Sequence, residues 1–259
     1  MDKKILLHID DEQRRLAVSK IIDTINLASA HCEAKFTHFL DPAAIYFVKN
    51  NIHEDADVNI TFCGGYDGAE REIMCAAPEW DSVSNDIFPI KCIKATPSHF
   101  DTPTHRDYLG ALMGLGIERE QLGDIVMADG CGYIFCKSEM ADYILQNLDK
   151  VGRGGVRLCM LDNFSEVREN REEKLIKISV ASFRLDCVLS GALNISRAAG
   201  ADLVKSCKVK VNFEECMNLS KILSCGDLIS VRGFGRLKIS EEGGETRKGR
   251  RVIFIKRYI

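Results

Sequence analysis

The chain has 259 residues, 46% hydrophobic and 28% charged, with 20 glycines, 5 prolines and a formal net charge of −3. This length suits two or three domains, and the composition excludes a disordered or collagen-like chain. No stretch approaches the roughly 18 apolar residues of a membrane span. The amino terminus meets Asp10 and Asp11 too soon for a signal peptide, so the expectation is a cytoplasmic protein that does not engage a membrane.

Residues 11–30 read as a helix capped by Asp10 or Asp11, with Leu16, Ile21, Ile22, Ile25 and Ala28 near helical period. Asp41-Pro42 starts a second helix through Asn50, because proline is tolerated in the first turn. Strands follow over 58–63 and 72–77, joined by the turn-rich loop from Gly64 to Arg71. That loop lacks the lysine and following helix of a phosphate-binding loop. Pro78-Glu79-Trp80-Asp81 opens a second unit. Its expected elements are a strand over 87–95, a helix over 102–115 ended by Gly116, strands over 124–128 and 132–137 around an Asp129-Gly130 turn, a helix over 138–148 capped by Ser138, and a strand over 155–161. The order β-α-β-β-α-β is ferredoxin-like, or RRM-like. Alternation puts Tyr133 and Phe135 on one sheet face, as stacking platforms or as core, with core preferred. The charged run 163–177 reads as a linker, entering a strand over 175–182.

The eleven cysteines show no C-x-x-C pair and no zinc-ligand spacing, and Cys131 and Cys136 lie closest. They read as buried free thiols in a reducing compartment, with no metal and no cofactor expected. Charge is unevenly spread. Residues 1–81 carry 8 basic and 15 acidic side chains, residues 82–180 carry 12 and 15, and residues 181–259 carry 15 and 8. A basic, apolar and patterned C-terminal third on an acidic body is what a polyanion-binding module needs.

The pattern there is two short helices followed by twisted strands. Ser196 can cap the second helix. Arg184 and Arg197 fall at or near the two helix N-termini, where open amides and the helix dipole favour an anion and arginine adds bidentate phosphate recognition. Lys205, Lys208, Lys210, Arg232 and Arg236 extend the same positive surface. Such a surface grips a folded RNA backbone by shape.

Residues 182–240 resemble the S4 RNA-binding domain. Arg184-Leu185-Asp186, Ser196-Arg197, Lys208-Val209-Lys210-Val211-Asn212 and Gly226-Asp227 stand in that family's order. The segment from Thr104 to Glu120, followed by Gly123-Asp124-Ile125, is similar to the signature of the YlmH family, as are Gly64-Gly65-Tyr66 and Glu70-Arg71. The resemblance implies an α+β protein in three parts: an N-terminal α/β domain (1–80), a central RRM-like domain (81–162) and, after the charged linker and strand of 163–180, a C-terminal S4 domain (181–259). It implies a cytoplasmic bacterial protein that binds structured RNA, rRNA or tRNA, on the large ribosomal subunit in ribosome-associated quality control. His105, Arg106, Tyr133 and Phe135 are the candidate contacts of the central domain. An older association of the family is with cell division. Cys207 stands where the S4 family favours glycine, so a positive φ there would strain it.

An enzyme reading finds little to build on. Asp107, Glu118 and Glu120 have basic neighbours, and His105 lacks an evident Cys, Ser or metal set. A pseudouridine synthase would need a large catalytic domain after its S4 module, and only about twenty residues follow the matched segment here. A monomeric, non-catalytic RNA binder is therefore expected, with the acidic N-terminal domain contacting protein. The alternative is a cell-division scaffold working through protein contacts.

Overall fold

Val18, Ile21, Ile22, Ile25 and Ala28 recur at helical steps, and in the computed structural model they form the buried stripe of α1 (Glu12–His31). The structure describes residues 12–52, 58–98, 102–164, 167–168, 173–246 and 249–258, so the caps expected at Asp10 and Asp11 lie outside it. The chain forms two compact units, Met1–Asn170 and Arg171–Ile259. Among the described residues no helix is long and apolar enough to cross a membrane.

In the first unit α1 leads into β1 (Lys35–Leu40), α2 (Pro42–Asn51), β2 (Val58–Cys63) and β3 (Glu72–Pro78). The Asp41 carboxylate accepts the Ala44 amide at 2.7 Å and caps α2, with Pro42 in the first turn as expected. The strands pair antiparallel in the order β1-β3-β2. Alternation along β3 gives its sheet two apolar faces: Met74 and Ala76 pack under α1 and α2, while Ile73, Cys75 and Ala77 face away from them.

The second sheet is built from β4 (Ile90–Pro97), β5 (Leu122–Ala128), β6 (Cys131–Lys137), β7 (Lys150–Val151) and β8 (Gly154–Leu161), in the order β5-β6-β4-β8-β7. With α3 (His105–Gly114) and α4 (Ser138–Asn147) this is the expected β-α-β-β-α-β arrangement plus one short strand. Tyr108, Leu112 and Ile144 of the helices cover Ile93, Ala95 and Ile134. The opposite face, with Ile90, Cys92, Val126 and Phe135, closes on Phe39, Ile73, Cys75 and Ala77 of the first sheet. The unit is therefore four layers deep, helices outside and two sheets stacked inside.

Several boundaries differ from expectation for local reasons. The helix expected from residue 102 begins at His105, because Thr102 precedes a proline and Thr104 is extended and forms a reciprocal capping box with Asp107. The strand expected from residue 87 begins at Ile90, since Asn85–Ile87 form a 3-10 turn and Pro89 supplies no ladder amide. Ser138 does not cap α4: Lys137 holds the cap position without a side-chain bond, and Ser138 is the first helical residue. The end of the charged run is not linker but strand β9 (Glu173–Val180), which pairs along its whole length with a C-terminal strand. All the cysteines are free, but Cys32, Cys159, Cys207 and Cys225 are exposed, which corrects the reading of them all as buried filler. Burial pushes the Cys75 thiol up to about 11 and Cys136 to about 12, so neither is a thiolate at neutral pH.

The second unit continues from β9 through α5 (Leu185–Leu193), α6 (Arg197–Lys205), β10 (Val209–Val211), β11 (Glu214–Glu215), β12 (Leu228–Val231), β13 (Gly235–Glu245) and β14 (Arg251–Tyr258). Its six strands pair antiparallel in the order β11-β10-β12-β13-β14-β9. Leu185, Val188, Leu189 and Val204 of the helices pack on Ile178, Val209, Ile229, Leu237 and Ile253. Asn194 ends α5 in the left-handed region, which asparagine tolerates, and turns the chain directly into α6. Cys207 has φ +54°, so the strain expected there is present. Cys207→Gly removes the clash of Cβ with the backbone at the cost of some chain entropy, for a net stabilisation of about 0.5–1 kcal/mol. Chemical denaturation of the two proteins measures it, and an unchanged or lower midpoint contradicts the strain.

Candidate nucleic-acid interface

Arg184 occupies the cap position of α5 and Arg197 is the first residue of α6, and α6 packs across α5 with Gly200 against the Asp186 carbonyl and Leu189, so the two helix N-termini lie together. Both guanidiniums converge on one carboxylate. Arg184 donates to Asp186 through Nε at 3.0 Å and Nη2 at 3.4 Å, and Arg197 Nη2 lies 3.7 Å from Asp186 Oδ2. Arg197 Nη2 also donates to Cys187 Sγ at 2.6 Å. Side-chain exposures of 40% and 63% leave both arginines open to solvent, while Asp186 is 14% exposed. One carboxylate for two guanidiniums leaves the cluster net positive.

The local charges explain why Asp186 stands in this position. Cations at two helix N-termini oppose the helix dipoles, and an acid in the first turn of α5 offsets them. Burial alone would raise the Asp186 carboxyl, but the hydrogen bond and charge of Arg184, with the charge of Arg197, hold it below its ordinary value. A lowered carboxyl contributes stability at any pH above its unfolded value and loses it as pH falls through the native one. Neutral pH leaves the cluster intact.

The two mouths differ. At α5 the amides of Leu185 and Asp186 donate to the carbonyls of Lys221 and Leu219, so the expectation of free amides there is corrected. At α6 the Ser196 hydroxyl accepts the Ala199 amide at 3.1 Å and the Ser196 carbonyl accepts the Gly200 amide, while among the described residues the Arg197 and Ala198 amides meet no hydrogen-bond acceptor. That end of the site offers two amides and an adjacent guanidinium to an anion.

The remaining cations do not form one patch. Lys205 ends α6, and Lys208 follows the Cys207 turn beside Arg232, whose amide donates to the Lys208 carbonyl; all three side chains are exposed. Lys210 and Arg236 lie in one register row through Ser230, alternating with the buried Val209, Val211 and Leu237. They therefore belong to the sheet face turned away from α5 and α6.

In the first unit, His105 and Arg106 are exposed in the first turn of α3. Tyr133 is half-buried under the Lys94 ammonium, 5.6 Å from the ring centroid. Phe135 shares its face but is fully buried, stacked on Tyr66 with ring centroids 4.8 Å apart and edge-on to Phe164. No base can stack on it, so its reading as an RNA contact is corrected: the first sheet covers the face on which an RRM-like domain would bind.

The residues carrying the family resemblance in this unit lock its two sheets together. Asp124 accepts the Tyr66 hydroxyl at 2.9 Å and the amides of Glu70 at 2.6 Å and Arg71 at 3.3 Å. Arg71 in turn donates to the carbonyls of Leu122, Phe39 and Arg119, and Arg119 donates to those of Leu122 and Gly123. Burial, with Arg71 alongside, pushes Arg119 down to about 10, so it remains charged at neutral pH. Gly65 has φ +94°, and a Cβ there would stand 2.9 Å from the Phe135 ring; a Cβ at Gly123 would stand 2.7 Å from Phe39. Sequence reasoning placed these motifs without finding what they build. Asp107 works in a helix cap, and Glu120 pairs with Lys20 at 3.3 Å on the surface. Among the described residues no group of three His, Cys, Asp or Glu side chains could hold a metal ion.

Comparison with known proteins bears on this arrangement. A family model described as "YlmH, N-terminal" matches residues 13–79, and one described as "Putative RNA-binding domain in YlmH" matches residues 84–164. The chain is 30% identical over 245 residues to the Ribosome-associated protein quality control protein P2 of Bacillus subtilis (strain 168), covering 94% of this chain and 95% of that relative. Among solved structures it is similar to the cell division protein ylmH from Streptococcus pneumoniae, with a TM-score of 0.48 and 21% identity over 60% of this chain and 94% of that one. Matched across both sheets of its first unit and related along almost its whole length, this chain belongs to the YlmH family.

Proposed function

We propose that this chain is a non-catalytic cytoplasmic RNA-binding protein of ribosome-associated quality control, and that its C-terminal unit is an S4-type module that grips structured rRNA or tRNA on the large ribosomal subunit. The observation that carries the reading is the pair of guanidiniums sharing Asp186 beside the open amides of α6. Held in place, they lose little freedom on meeting phosphate, and arginine's fork suits phosphate oxygens. Ser196 fixes the helix mouth, and Lys205, Lys208 and Arg232 extend the contact along the backbone. Lys210 and Arg236, on the sheet face turned away from the helices, contact RNA apart from the arginine pair. His105 and Arg106 offer a second, weaker contact from the helix side of the first unit, and Tyr133, on the opposite face of its sheet, a separate one. The acidic first 81 residues repel phosphate and are assigned to a protein contact. The name of the Bacillus relative supports the ribosomal setting.

Sedimenting a lysate through a sucrose gradient tests the reading. The protein is expected with the large subunit at low salt, released as salt rises. Finding it at the top of the gradient at low salt, or with the small subunit, contradicts the assignment.

A further inference from the structure

The C-terminal sheet buries one face under α5 and α6, and the residues alternating with that core form a second face. Register determines what lies together on it. One row runs Lys210, Ser230, Arg236, Tyr258 across four strands. The adjoining row sets Lys238 directly opposite Lys256, and the next sets Phe254 opposite Lys177. Lys177 Nζ lies 5.6 Å from the Phe254 ring centroid. Among the described residues three carboxylates share the face: Glu173, paired with Lys256 at 2.8 Å, Glu215 opposite Lys210, and Glu241 opposite Phe254. The cations still exceed them.

Glu173 offsets Lys256, but Lys238 directly opposite adds a like charge across the strands that costs the sheet stability. Cations interleaved with half-buried aromatic rings are the combination that holds unpaired nucleotides: ammonium groups take the phosphates and rings stack on bases. We infer that this outer sheet face binds single-stranded RNA, as a site separate from the arginine pair at the helix mouths. A folded duplex presents no free base faces to Phe254 and Tyr258, so the two sites take different RNA forms.

Fluorescence anisotropy of the full chain with an oligouridylate of about twelve nucleotides tests this. Lys177→Ala/Lys238→Ala, both at exposed positions, is expected to weaken single-strand binding about tenfold and to flatten its salt slope by about 1.4, two phosphates' worth for a single strand. Phe254→Leu, which keeps an apolar side chain, is expected to cost about tenfold through lost stacking. Binding of a folded RNA hairpin by the double variant should stay within about twofold, which separates this site from the helix mouths. No measurable binding of the oligonucleotide, unchanged affinity in both variants, or an equal loss of hairpin binding in the lysine variant overturns the inference.

Discussion

Replacing both Arg184 and Arg197 with glutamine is expected to weaken binding of structured RNA by about 100-fold at physiological salt. Each charge-assisted contact contributes about 1.5 kcal/mol, and about 1.4 kcal/mol is a factor of ten. The substitutions also leave the Asp186 carboxylate, 14% exposed, without its cations, and the fold pays for that. Adding Asp186→Asn removes the stranded charge. The triple variant should therefore recover melting temperature without recovering affinity. Recovery of both would mean that the arginines serve the fold and not the RNA. An affinity loss under about threefold in the double variant would place the main phosphate contacts elsewhere.

A second large effect belongs to the first unit. Asp124→Ala leaves the Tyr66 hydroxyl and the Glu70 and Arg71 amides without their acceptor, and takes a carboxylate from beside two half-buried guanidiniums, Arg71 and Arg119. Unsatisfied groups cost about 1–3 kcal/mol each, partly recovered by solvent at this half-buried position. A loss of about 3 kcal/mol is expected, lowering the unit's melting temperature by roughly 6–12 °C for a domain of this size. Asp124→Asn keeps one acceptor oxygen and should lose less. Calorimetry would show it, and a shift below about 2 °C would mean that the two sheets are held by apolar packing alone.

Local chemistry in the sequence accounts for much of this fold. Asp41-Pro42, the Ser196 cap and the Asp129-Gly130 turn each act within a few residues, and each element they bound is where the pattern puts it. The ends that moved, at Ile90 and His105, moved because a proline withheld an amide or disfavoured helix in the residue before it. Long-range pairing was not legible. Alternation in β6 says that Tyr133 and Phe135 share a face, but nothing in the strand says that a second sheet covers Phe135. The candidate site shows the same division. Ser196-Arg197 and Arg184-Leu185-Asp186 are readable as helix starts. That both arginines meet on Asp186 depends on α6 packing across α5, with Gly200 against the Asp186 carbonyl and Leu189, a long-range contact no local motif displays. The splitting of Lys210 and Arg236 from the helix side follows from strand register, which the sequence does not display.

The salt dependence of RNA affinity tests the central claim most directly, because its slope counts the phosphates a protein neutralises. With a folded, largely double-helical RNA, the wild-type chain and the Arg184→Gln/Arg197→Gln variant should give lines whose slopes differ by about 1.8, two contacts' worth. Parallel lines, offset or superimposed, would show that neither guanidinium neutralises a phosphate.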